Sequence, residues 1–203
     1  MKLHLDKDAF RVLIDAVSDK TGYRKDVIEK DYYVTMVLHE LASFQSDGLP
    51  AYFKGGTALY KALHSVRRFS EDIDLSVDVR DCSRSQGDKR LDRATKKYTC
   101  LPRNAQEGRS NRSEVISYYY YEPVVEYDTN DILQRFGKVK VEATSFTISE
   151  PYESMRVAPI IYENAEPSQQ AILADQFDVS PFEILTMTME RIFVDKLFAA
   201  EAY

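Results

Sequence analysis

The sequence predicts an α+β fold, and three observations carry the prediction. Segments with helical spacing of apolar residues come first in the chain. Stretches that alternate strictly between apolar and polar residues follow. Further helical segments then interrupt and close the set of strands. The chain has 203 residues, room for one large domain or two small ones. Its 44% hydrophobic and 30% charged residues match an ordinary soluble globular protein. At this length roughly 70% of the unfolded surface can be buried, so no staple is needed.

The elements read in order as follows. Phe10, Leu13, Ile14 and Val17 recur at helical spacing and predict a helix over 8–19, stopped near Gly22. Residues 24–44 repeat the pattern, with Asp31 anomalous on the apolar side. A loop at 46–50 leads to a short strand at 51–53, and Gly55-Gly56-Thr57 reads as a tight turn. Helical spacing returns over 58–65. Residues 72–79 alternate strictly, with Ile73, Leu75, Val77 and Val79 on one side and Asp72, Asp74, Ser76 and Asp78 on the other. Val115 to Tyr127 and Val139 to Thr144 read as two more strands. Ser180-Pro181-Phe182-Glu183 has the form of a helix start. The β-branched content of the next residues favours a strand, here assigned up to Thr188. A helix follows from Met189, with Ile192, Phe193, Leu197 and Ala200 expected on its buried face.

Several classes are excluded. The N-terminus has no apolar core of signal-peptide length, and no stretch approaches the ~20 apolar residues of a membrane span, so a cytoplasmic location is expected. Cys82 and Cys100 make no disulfide framework. With three scattered histidines they make no zinc spacing. A net charge of −6 argues against general adhesion to nucleic acid. The distribution is uneven, however. Residues 80–112 hold ten Lys and Arg against four acids, a segment of +6 in a remainder of −12. One reading is a solvated surface helix and loop.

Asp72 and Asp74 are the sharpest chemical feature. Strand side chains repeat with period two, so both carboxylates point the same way, roughly 7 Å apart. Aspartate is disfavoured in strands, and two neighbouring anions repel. Either the face is wet, or divalent cations bridge the pair. Hard oxygen ligands suit Mg²⁺ or Mn²⁺, and two such ions can clamp an in-line phosphoryl displacement. Glu142, on the polar side of another alternating strand beside Lys140 and Thr144, is the candidate third ligand. The Gly55–Thr57 turn lets backbone N–H groups approach an anion, with Lys54, Lys61, Arg67 and Arg68 around it; a simple loop is the alternative. It is no Walker loop. Lys196 sits at the edge of the last helix's apolar face, where it either snorkels or reaches a triphosphate.

Two stretches together resemble a known family. Lys54-Gly-Gly-Thr-Ala-Leu-Tyr-Lys61 followed by Arg68-Phe-Ser-Glu-Asp-Ile-Asp-Leu75 is similar to the signature of the AbiEii/AbiGii toxin family of nucleotidyltransferases. Ile28-Glu-Lys-Asp-Tyr-Tyr-Val34 resembles that family's N-terminal helical element, and Glu190-Arg-Ile-Phe-Val-Asp-Lys-Leu197 its lysine-bearing helix. The resemblance implies a polymerase β-like nucleotidyltransferase core. It implies Mg²⁺ or Mn²⁺ on Asp72, Asp74 and Glu142, and the triphosphate of an NTP on Lys196. Gly55, Gly56 and Thr57 hold the nucleotide phosphates in this scheme, with Lys61, Arg68 and Ser70 of the same motif. The expected organisation is an N-terminal helical element over 1–48, a core over 49–188 with a basic insertion at 80–112, and the start of a C-terminal helical region at 189–203. Family members continue into further helices, so this region reads as truncated.

The expected function is transfer of a nucleoside monophosphate from NTP to an acceptor, in the manner of a type IV toxin. The acceptor implied is RNA such as tRNA, reached through 80–112, with a cognate antitoxin protein as a second partner. A nucleotide- or RNA-binding module without catalysis, and a transferase acting on a protein hydroxyl, are the alternatives.

Overall fold

The computed structural model describes residues 1–64, 69–126 and 136–201, with side chains to 198. A 3₁₀ turn at Leu3–Leu5 leads into helix α1 (Lys7–Thr21), whose first turn is capped by Asp6 accepting from the Ala9 amide. Gly22, at φ 75°, ends it. Helix α2 (Lys25–Ser46) follows. Then come β1 (Ala51–Lys54), α3 (Gly55–Lys61), β2 (Ile73–Val77), α4 (Arg84–Lys96), β3 (Arg109–Ser110), β4 (Glu114–Tyr120) and β5 (Lys138–Thr144). The chain continues through β6 (Tyr152–Val157), α5 (Ile160–Glu163), α6 (Pro167–Phe177) and β7 (Phe182–Met187) to α7 (Met189–Glu201).

The strands form one mixed sheet in the order β3-β4-β5-β2-β1-β7-β6. Parallel pairs β2–β5 and β1–β7 sit among antiparallel neighbours. The architecture is the α+β class that the patterning predicts. Strand alternation divides the sheet into two faces. Ile73, Leu75, Val139, Val141, Ala143, Val115 and Tyr119 point to the apolar one and are buried. Helices α2 and α4 cover it. Phe44 of α2, Tyr98 just after α4 and Tyr119 of β4 form an aromatic chain with centroid spacings of 5.3 and 5.5 Å. The Tyr119 hydroxyl donates to the Thr95 carbonyl of α4. The other face carries Lys54, Asp74, Lys140 and Glu142.

Differences from the expected elements have local causes. The Gly55–Thr57 turn is the first turn of α3 itself, and α3 ends at Lys61, short of 65. Strand β4 ends at Tyr120; Tyr127 lies outside the described residues. β6 and α6 have no counterpart in the patterning because both are largely exposed: only Val157 of β6 and Leu173 of α6 are buried. On α7, Ile192 is buried as expected but Phe193 and Leu197 are exposed, and the Ala200 side chain lies outside the described ones. α2 is buried on nearly all sides, charged residues included. Among the described residues no helix is long and apolar enough to cross a membrane.

Candidate functional site

The polar face is assembled by register. β2 and β5 run parallel with Asp74 beside Glu142, and β1 pairs antiparallel to β2 with Lys54 beside Asp74. Asp72 precedes the strand on the same side. From the far end of the chain α7 brings Asp195 and Lys196 over this face. The result is a cavity of about 250 Å³ lined by Lys54, Gly55, Asp74, Glu142, Asp195 and Lys196, with apolar walls from Phe146 and Ile192. Asp74, Glu142 and Lys196, singled out in the sequence and more than fifty positions apart from one to the next, thus meet in one place with Gly55.

The glycine that begins α3 is required by a close approach. Gly55 has φ 80°, and a Cβ there would stand 2.1 Å from Asp74 Oδ2. Only a residue without a side chain lets the backbone pass this carboxylate. Gly56 faces Ser70 in the same way, at 2.9 Å from its Oγ. Thr57 is buried. Its hydroxyl lies 3.0 Å from Ser70 Oγ and bonds to the Asp72 carbonyl. Gly56, Thr57 and Ser70 therefore join the start of α3 to the segment entering β2 and hold Asp72 in place.

The carboxylates are electrostatically crowded. Burial, then the charges of Glu142 and Asp72, push the Asp74 carboxyl up to about 6. Lys140 relieves the rest, with its ammonium 2.8 Å from Glu142 and 3.5 Å from Asp72. Burial works against that ammonium, but its bond to Glu142 and the three surrounding charges leave its pKa above that of an ordinary lysine. Among the described residues no three His, Cys, Asp or Glu side chains converge closely enough to hold a metal ion. Asp72 and Glu142 are both turned to the Lys140 ammonium. Three carboxylates on one sheet face are oxygen donors of the type a hard divalent ion takes, though here two of them are paired with Lys140 and the three do not converge.

Other expected residues are placed elsewhere. Lys61 does not reach the cavity. It is buried, and its ammonium pairs with Asp31 of α2 at 2.5 Å. Asp31 also accepts from the Ile160 amide at 2.7 Å, which accounts for an aspartate on an apolar helix face. The anomaly at Asp31 and the lysine near the glycines are one structural ion pair. Arg67 and Arg68 lie outside the described residues. Helix α4, with five of the ten cations of the basic segment, packs on the apolar face, opposite the carboxylates. There Arg90 bonds the Asp78 carbonyl, Arg93 pairs with Asp47, and Lys96 with Asp92.

Three groups at the site escaped the sequence reading as site residues: Lys54, Lys140 and Asp195. Asp195 is gripped by Arg191, one turn earlier on α7, at 2.6 Å. The alternation of 139–144 put Lys140 and Glu142 on one side, the one local signal for their pairing.

Compared with known proteins, the chain has no match among curated sequences. A family model, described as nucleotidyl transferase AbiEii toxin of type IV toxin–antitoxin systems, matches residues 37–201.

Proposed function

Because the chain belongs to the AbiEii nucleotidyl transferase toxin family, we propose that it transfers a nucleoside monophosphate from an NTP to an acceptor hydroxyl on the polar face of its sheet. The observation that carries this reading is the pairing of Asp74 with Glu142 in adjacent parallel strands, facing Lys196 across one cavity. Asp72, Asp74 and Glu142 would hold Mg²⁺ or Mn²⁺. Such ions supply charge neutralisation at the phosphoryl group and activation of the attacking oxygen.

The chain's own groups do the positioning. Gly55 admits the backbone against Asp74, and the Thr57–Ser70–Asp72 linkage fixes where Asp72 stands. Lys196 is exposed at the cavity wall, free to meet the β- and γ-phosphates. Phosphoryl transfer depends on such positioning and on preorganised charge.

RNA is the acceptor favoured by the +6 segment. Four of its cations (Arg84, Lys89, Lys97 and Arg112) are exposed and make no ion pair among the described residues. Since α4 lies behind the sheet, an RNA touching its cations must pass around the sheet edge to bring a hydroxyl to the carboxylates. The family's type IV systems pair toxin with antitoxin, so a cognate antitoxin is the protein partner proposed.

Incubation with labelled NTP, Mg²⁺ and either RNA or protein extract tests the reading. Label should pass to an acceptor and pyrophosphate should be released. Asp74→Asn should lower transfer by roughly 10²-fold or more while the fold holds, because the change removes a crowded charge. Near-parental transfer by that variant refutes the site, and nucleotide binding without pyrophosphate release identifies a binding module.

A further inference from the structure

Two lysines flank the same glycine pair and are treated in opposite ways by the fold. Lys61 is sealed in the core against the Asp31 carboxylate. Lys54, the last residue of β1, is also largely withdrawn from water, yet among the described residues no carboxylate lies within 4.0 Å of it. Its ammonium rests on two neutral hydroxyls, Thr144 at 3.0 Å and Thr147 at 3.3 Å. Buried charges are ordinarily paired, because desolvation is otherwise uncompensated. An ammonium carries three donors, and the threonines take two. The third belongs to a group that lines the cavity. Burial holds the Lys54 pKa below that of an ordinary lysine, with Asp195, Asp74 and Glu142 only partly offsetting it.

A purely structural role is poorly supported. The segment after β5 is already tied down without Lys54. Ser76 Oγ lies 3.0 Å from Thr147 Oγ1, 3.3 Å from the Thr147 carbonyl and 2.9 Å from Ser149 Oγ. The threonines therefore aim the lysine more than the lysine anchors the threonines.

We propose that Lys54 is a further substrate-binding residue, whose free donor takes a phosphate oxygen of the nucleotide. The proposal rests on the nucleotidyl-transfer reading and adds to Lys196 a second cation for the phosphates. Lys54 stands beside Asp74 on the sheet, and Lys196 on the helix opposite. A phosphate chain lying between them meets one positive group on each wall. Among the described residues no carboxylate pairs Lys54 where it stands, and an anion in the cavity would.

Calorimetric titration with inorganic tripolyphosphate and with ATP, each with MgCl₂, tests this without relying on turnover. Lys54→Met removes an unpaired charge and keeps the stem, so its melting temperature should be unchanged or raised. Its affinity for both ligands should fall about ten- to hundred-fold, the loss of one charge-assisted hydrogen bond. Lys54→Gln can still reach the threonines and should lose affinity to the same degree. Parental affinity in either variant overturns the proposal and leaves the transfer reading standing. A lower melting temperature with intact affinity overturns it in favour of a structural tether. Failure of the parent protein to bind either ligand refutes the transfer reading, and Lys54's role falls with it.

Discussion

Replacing Lys61 by methionine separates a buried ion pair from a nucleotide contact. The Lys61 and Asp31 side chains are 2% and 1% exposed, with 2.5 Å between ammonium and carboxylate. Lys61→Met leaves the Asp31 carboxyl in the core without its counter-ion, the Ile160 amide being its remaining close donor. Removing one partner of a buried pair costs about 3–5 kcal/mol, a large part of the about 5–15 kcal/mol that stabilises a domain. With a urea slope of about 2–3 kcal/mol/M for a chain of this size, the unfolding midpoint should fall by about 1–2 M. The double variant Asp31→Asn with Lys61→Met removes both charges and keeps an oxygen for Ile160, so most of the loss should return. Circular dichroism in urea on the parent, both single variants and the double variant gives the coupling directly. A Lys61→Met midpoint within about 0.3 M of the parent would refute the buried pair. So would a variant of parental stability that had lost nucleotide affinity, since it would return Lys61 to the site.

Two more outcomes follow from the same geometry. Lys196→Met should fold as the parent does, because Lys196 is exposed, and should lower kcat/KM for NTP by roughly 10²-fold; steady-state kinetics at saturating Mg²⁺ would show full activity if the lysine only decorates the helix. Glu29 of α2 is buried, accepts from the Val124 amide at 2.7 Å, and is pushed up to about 7 chiefly by burial. Between its unfolded value near 4.5 and about 7 the folded state alone keeps the proton. This group's contribution therefore falls as pH rises through that window and is flat above it. Glu29→Gln, which resembles the protonated form, should match the parent near pH 4.5 and exceed it by about 1–3 kcal/mol at pH 8. Urea midpoints that differ equally at both pH values would disprove the assignment.

The local chemistry of this protein was legible in its residues one after another. Period-two alternation put Asp72 and Asp74 on one side of a strand and Lys140 with Glu142 on one side of another. It also assigned the class, because burial of one sheet face writes itself into the sequence at that period. β6 and α6 left no such trace, since an element with one buried side chain carries no periodicity to read. Which strands lie side by side was not legible at all. Asp74 meets Glu142 because β2 and β5 pair in parallel in one particular register. A slip of one residue would send Glu142 to the other face.

The lysines show the same division. Lys54 and Lys61 are equivalent as charges around a glycine pair, and the sequence assigned only Lys61 to the nucleotide. Helix α3 turns one inward to Asp31, more than twenty positions back in the chain, and β1 turns the other toward the cavity. The basic segment has the composition of a polyanion contact, yet α4 carries five of its ten cations to the face away from the carboxylates because Leu91 and Ala94 must be buried against the sheet. Sequence determined which residues could do the chemistry, because strand parity and residue type are local. Tertiary structure decided which of them share a cavity, because strand pairing and helix packing join residues by buried area and register, not by distance along the chain.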